Sequence, residues 1–167
     1  MLLSLSVGAS FAQNSEPKNP KLYVGTGFGF DYGGIGGKLE YLPIKNLSAF
    51  FGGGYNLLSF GWNVGGSFKI SPDKRFSPNL MIMYGYNGVI KGSDWISEQY
   101  EMTSYGVSVG MNFDLKIGQK NKLSFGLFVP FRSAEFRENY KDAQDDKRIE
   151  IGALPPIGIS IGYNIGF

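Results

Sequence analysis

Residues 157–167 read Ile157-Gly158-Ile159-Ser160-Ile161-Gly162-Tyr163-Asn164-Ile165-Gly166-Phe167. Every second residue from Ile157 to Phe167 is large and apolar, and every residue between is small or polar. Successive side chains of a β-strand point to opposite faces, so strict alternation over this length marks a strand with one apolar face and one small or polar face. A helix of period 3.6 would scatter the same residues around its axis.

Seven upstream segments repeat the pattern. In the first, Leu22, Val24, Thr26, Phe28, Phe30 and Tyr32 alternate with Tyr23, Gly25, Gly27, Gly29 and Asp31. The others run over Ile35–Tyr41, Leu47–Leu57, Phe60–Ile70, Phe76–Asn87, Thr103–Asp114 and Leu123–Arg132. Turn residues follow the second, fourth and sixth segments, at Pro43–Asn46, Ser71–Lys74 and Lys116–Asn121. Short links at Gly33-Gly34 and Leu58-Ser59 follow the first and third. Long links at about Gly88–Glu101 and Ser133–Lys147 follow the fifth and seventh. No segment carries a convincing helical period, and the repeating unit is the hairpin. The sequence predicts an all-β protein, an eight-stranded antiparallel up-and-down transmembrane β-barrel.

Composition narrows the chemistry. The 167 residues contain no His and no Cys, which excludes a disulfide framework, a Cys or His metal site, a Cys nucleophile and His-based acid/base work. A net charge of +2 is too mild to argue for nucleic acid. Charged residues make up 18%, below the roughly 25% usual for a soluble domain. Mean hydropathy is −0.10, an average over two unlike faces.

Two barrels fit a period of two. A soluble, lipocalin-type barrel turns its apolar face inward, whereas a membrane barrel turns it outward to lipid. Three observations favour the membrane form. The second face is rich in glycine and poor in charge, unlike a water-facing surface, and glycine suits the tight interior of eight strands. Aromatics gather near both strand ends: Tyr32, Tyr55, Phe60, Trp62, Tyr84, Tyr86, Tyr105 and Phe131 toward the long links, and Tyr41, Phe68, Phe76, Phe113, Phe125, Tyr163 and Phe167 toward the turns. Short turns at one end and long loops at the other match the outer-membrane arrangement, and closure satisfies every backbone group within lipid.

Residues 1–12, MLLSLSVGASFA, read as an export signal ending in the small-residue pattern Ser10-Phe11-Ala12. The stretch is too short to span a bilayer, which needs about 20 residues. No Lys or Arg follows Met1, so the signal is truncated or its true start lies upstream. Residues 13–20 (QNSEPKNP) read as a linker, and residues 21–167 as the barrel domain.

The alternating strands, short turns, long loops, export signal and terminal Phe167 resemble the small outer-membrane β-barrels of Gram-negative bacteria, a porin-like family whose familiar members are the OmpA barrel domain and OmpX. The resemblance covers about Lys21 to Phe167. It implies a cell outer-membrane location with both termini periplasmic, outer-membrane lipid around the barrel, and assembly by the outer-membrane machinery. Tyr163-Asn164-Ile165-Gly166-Phe167 looks like the aromatic C-terminal signal that machinery reads. No peptidoglycan-binding domain is expected after Phe167. Enzymes of similar build use an active-site His, which is absent, so no catalytic residue, metal or cofactor is expected.

Buried charges need partners. Alternation turns Asp31, Arg132 and Glu150 inward near the loop end, and Lys38, Glu40, Lys69 and Asp114 inward near the turn end. Two interior ion-pair layers are predicted. Between them Phe50, Met81, Met83 and Phe128 point inward and would plug the lumen. An acid pair, Asp31 with Glu150 or Glu40 with Asp114, is less favoured than lumen ion pairing. The long links carry Trp95, Ile96, Phe136 and Tyr140, candidate contacts for another outer-membrane or surface protein. Asp142–Asp146 lacks the spacing of an EF-hand and reads as solvated loop. Gly25-Thr26-Gly27-Phe28-Gly29 lies inside a strand and fails as a phosphate loop. Pro155-Pro156 cannot donate to a ladder and predicts a bend above the last strand. The expected role is structural or interactive through the loops. The alternatives are a narrow pore for small solutes and an accessory subunit of a larger outer-membrane complex.

Overall fold

The computed structural model describes residues 20–94, 99–145, 149–151 and 154–167. The predicted signal (1–12), all but the end of the linker, and Trp95 and Ile96 lie outside the described residues. Seven strands come first: β1 (Leu22–Gly29), β2 (Gly34–Ile44), β3 (Leu47–Tyr55), β4 (Phe60–Lys69), β5 (Phe76–Asp94), β6 (Gln99–Ile117) and β7 (Asn121–Pro130). Helix α1 (Ala134–Asp145), the short strand β8 (Ile149–Ile151) and β9 (Gly158–Gly166) complete the chain.

Eight of these strands form one closed ring in the order β4-β3-β2-β1-β9-β7-β6-β5, with β5 pairing back onto β4. Every pairing is antiparallel, so the protein is a closed, all-antiparallel, up-and-down eight-stranded β-barrel. The seam joins β1 to β9, with Val24 opposite Ile165 and Thr26 opposite Tyr163. Closure leaves no unpaired edge around the ring.

Register carries the alternation through to three dimensions. Along β9 the apolar residues Ile159, Ile161, Tyr163 and Ile165 are exposed, while Gly158, Ser160, Gly162 and Asn164 are buried. The same inversion holds along β2 and β3, where Leu39 and Phe51 are about half exposed and Lys38, Glu40 and Ser48 are buried. Aromatic rings meet on the exterior near both ends. Trp62 lies 5.9 Å from Tyr105 and 6.2 Å from Tyr84 toward the loops, and Phe76 stacks on Phe113 at 5.8 Å toward the turns.

Four features depart from the sequence expectation. First, Phe30 and Tyr32 leave the exterior face. Gly29 adopts φ +122°, a conformation that side-chain-bearing residues avoid. A 3-10 turn over Phe30–Tyr32 then folds the hairpin tip into the barrel, with Tyr32 fully buried. Its ring takes the space that a Cβ on Gly27 or Gly162 would fill. Second, the long link after β5 is an extension of the hairpin, paired as far as Ser93 with Gln99. A bulge between Tyr86 and Gly88 marks the crossing from the ring to that extension. Third, residues 134–145 are helical, where no helix was expected. Ser133 Oγ accepts a hydrogen bond from the Phe136 amide at 3.1 Å, capping the first turn. Fourth, Glu150 sits on β8 beside β5, beyond the ring, and its side chain lies outside the described residues.

Candidate functional site: the lumen and its mouths

Strand alternation delivers Glu40 (β2), Lys69 (β4), Asp114 (β6) and Lys122 (β7) to one level of the interior near the turn end. Lys69 Nζ lies 2.9 Å from Glu40 Oε1 and 3.0 Å from Asp114 Oδ2. Lys122 Nζ lies 2.5 Å from Glu40 Oε2 and 2.8 Å from the same Asp114 Oδ2. Each lysine therefore bridges both carboxylates in a closed ring of four charges with no net charge. Asp114 Oδ1 also accepts from Asn112 Nδ2 at 2.8 Å and Ser124 Oγ at 2.7 Å. Its roughly four acceptor sites are filled. Lys122 completes its environment over the Tyr23 ring, 4.5 Å from the centroid.

Lys38 does not join this ring. It pairs with Asp31 at 2.5 Å and lies 4.5 Å from the Tyr32 ring centroid. The inward turn after Gly29 is the cause, because it carries Asp31 down toward Lys38. The expected Asp31–Arg132–Glu150 layer is thereby replaced. Arg132 instead donates to the backbone carbonyls of Asn87 at 3.2 Å and Pro155 at 2.9 Å, tying the top of β7 to the bend before β9. A hydrogen-bonded column links the two charged levels. Ser124 donates to Asp114, and the Asn164 amide donates to Ser124 Oγ at 3.0 Å and to the Tyr32 hydroxyl at 3.2 Å.

The interior also holds an apolar cluster. Phe50, Met81, Met83 and Phe128 form one buried cluster, with Phe30 packed against it. At the loop end, Phe136 is 3% exposed and lies beside Gly88 and Arg132 rather than standing free in a loop. Tyr140 is half-buried, and its hydroxyl accepts from the Leu154 amide at 3.1 Å. These two residues fix α1 to the barrel rim, so Phe136 is unavailable as an exposed contact. At the turn end, a cavity of about 480 Å³ opens above the four-charge ring, between Tyr23, Leu42, Pro43 and Pro72.

Sequence reasoning missed Lys122 and Tyr32. Lys122 falls between the turn expected at Lys116–Asn121 and the strand expected from Leu123. Extending the alternation of Ser124, Gly126 and Phe128 back by one step would have placed it inward. The signal for Tyr32 was Gly29 followed by Gly33-Gly34, a cluster able to reverse a strand's facing.

The class this geometry defines is a closed, eight-stranded, up-and-down antiparallel β-barrel, with apolar residues outside and paired charges inside. No protein-family model matches the chain, and no curated protein matches it by sequence. Among solved structures, the N-terminal β-barrel domain of Pseudomonas aeruginosa OprF is similar, with a TM-score of 0.47 and 11% identity. The alignment covers 86% of this chain and 96% of that one.

Proposed function

We propose that the protein is an integral outer-membrane β-barrel with a structural or interaction role. Its lumen is closed, its turn end and both termini are periplasmic, and its loop end is the contact surface. The inverted exterior carries this reading. Val24, Phe28, Leu39, Phe51, Val64, Leu80 and Ile82 each expose about half their surface, while charges are buried inside. In water such an area would be a large aggregation surface; in a bilayer it is the solvated face. Tyr163 and Phe167 at the end of β9 suit recognition by the outer-membrane assembly machinery. The refolded protein should partition into detergent and migrate differently on gels before and after heating. A protein soluble without detergent, with migration unchanged by heat, would overturn the reading.

The lumen cluster of Phe50, Met81, Met83 and Phe128 supports a closed rather than conducting barrel, and planar bilayers should show no large stable conductance. The polar column from Asp114 through Ser124 and Asn164 to Tyr32 favours the second reading, a narrow pore for small solutes. Small, reproducible single-channel steps would establish it instead. Mild solubilisation, with a partner co-purifying through the loop end, would mark the protein as a subunit of a larger assembly.

A further inference from the structure

The turn-end cavity has a wall composition that neither the structural nor the pore reading uses. Its volume of about 480 Å³ lies within the 300–1,000 Å³ range of small-molecule sites. Tyr23, Leu42, Pro43, Ile44 and Pro72 supply an apolar wall, and Lys21, Lys45 and Lys116 stand around it. Its floor is the four-charge ring, which is internally neutral, so the rim lysines set the sign of the opening.

The surrounding surface has the same sign. The turns and strand ends at this side carry Lys21, Lys45, Lys74, Arg75, Lys116 and Lys120, against Asp73 as the acid among the described residues there. A concave opening lined by one sign of charge focuses potential and concentrates counter-ions. One rim contact is an exposed pair. Lys45 meets Asp73 at 3.4 Å with both side chains about two-thirds exposed, a geometry worth little in water. Lys116 donates to the Pro72 carbonyl at 2.6 Å, which holds its stem along the wall. Asp114, saturated from below, offers nothing to a cation.

We propose that this vestibule binds a small amphipathic anion, a carboxylate- or phosphate-bearing molecule whose charge meets the rim lysines while its apolar part lies on Tyr23, Leu42 and Pro43. This site is separate from the loop-end contact surface and stands whether or not the lumen conducts.

The test is an amide NMR titration of the full chain refolded in a zwitterionic detergent. The probes are phenylacetate and phenyl phosphate, with benzyl alcohol and benzylamine as neutral and cationic controls of similar size. Both anions should give saturable shifts at Tyr23, Leu42 and Ile44. Saturation by one anion alone assigns the carboxylate or the phosphate as the recognised group. The double variant Lys21→Glu with Lys45→Glu, at exposed positions, should weaken the anions about tenfold. Lys21→Gln with Lys45→Gln should fall between. Equal shifts with the alcohol, shifts that never saturate, shifts confined to exterior residues such as Phe113 and Phe125, or unchanged affinity in both variants would each overturn the proposal.

Discussion

The two faces of the barrel wall are built from the same strands but obey different rules. Outside, each residue does its work nearly alone. Leu39 and Phe51 face outward as neighbours on β2 and β3, and either could be another apolar residue with little consequence. Inside, the charged residues work in partnership. Asp114 holds four donors, and Lys122 joins β7 to β2 and β6 through Glu40 and Asp114. The exterior is specified by composition and period, the interior by partnership.

The sharpest way to break that contrast is to remove one interior partner. Asp114→Ala would leave Lys69 and Lys122 sharing Glu40 and would take the acceptor from the Asn112 amide and the Ser124 hydroxyl. Breaking a buried pair costs about 3–5 kcal/mol, seen as a lowered urea midpoint for unfolding in detergent. A midpoint unmoved by Asp114→Ala would mean that the four-charge ring does not hold the strands together.

Lys38→Met should come next, at about 3 kcal/mol, since it strands one carboxylate rather than two ammoniums. Adding Asp31→Asn should restore much of the loss, because the pair is then replaced rather than broken. A double variant as unstable as the single would show that Lys38 acts through Tyr32 and not through Asp31.

On the other face, Leu39→Arg should cost about 2–4 kcal/mol when folding is measured in lipid vesicles. The cost should shrink for Leu47→Arg, nearer the turn end. A flat profile along the wall would argue against a bilayer around it. Lys45→Ala should sit at the bottom of the series, within about 0.5 kcal/mol, because its pair with Asp73 is exposed. A larger effect would mean that the rim charges support the fold rather than a ligand.

The same contrast governs what could be read from sequence. Exterior positions along β2, β3, β4 and β9 follow from a period of two, which needs no knowledge of neighbours. The inward set was also visible, since Glu40, Lys69, Asp114 and the residues Phe50, Met81, Met83 and Phe128 all lie inside. Lys122 as their fourth charge was not. Glu40 and Lys122 are 82 positions apart, and only strand order and register bring them together. The Asp31 pairing failed for a local reason. One glycine with positive φ turned a predicted exterior segment inward and moved the acid to a different partner. Helix α1 was legible in hindsight through Ser133 as cap and the spacing of Phe136, Tyr140 and Ala143. It sits in a charge-rich stretch, where a weak apolar stripe is easily taken for loop.

Tyr32 acts on the seam from within. Its ring lies against Gly27 of β1 and Gly162 of β9, the two strands that meet there, and it bonds Asn164 from 132 positions away. The first hairpin and the last strand are thus clasped twice, by the backbone ladder in the wall and by a single phenol in the lumen.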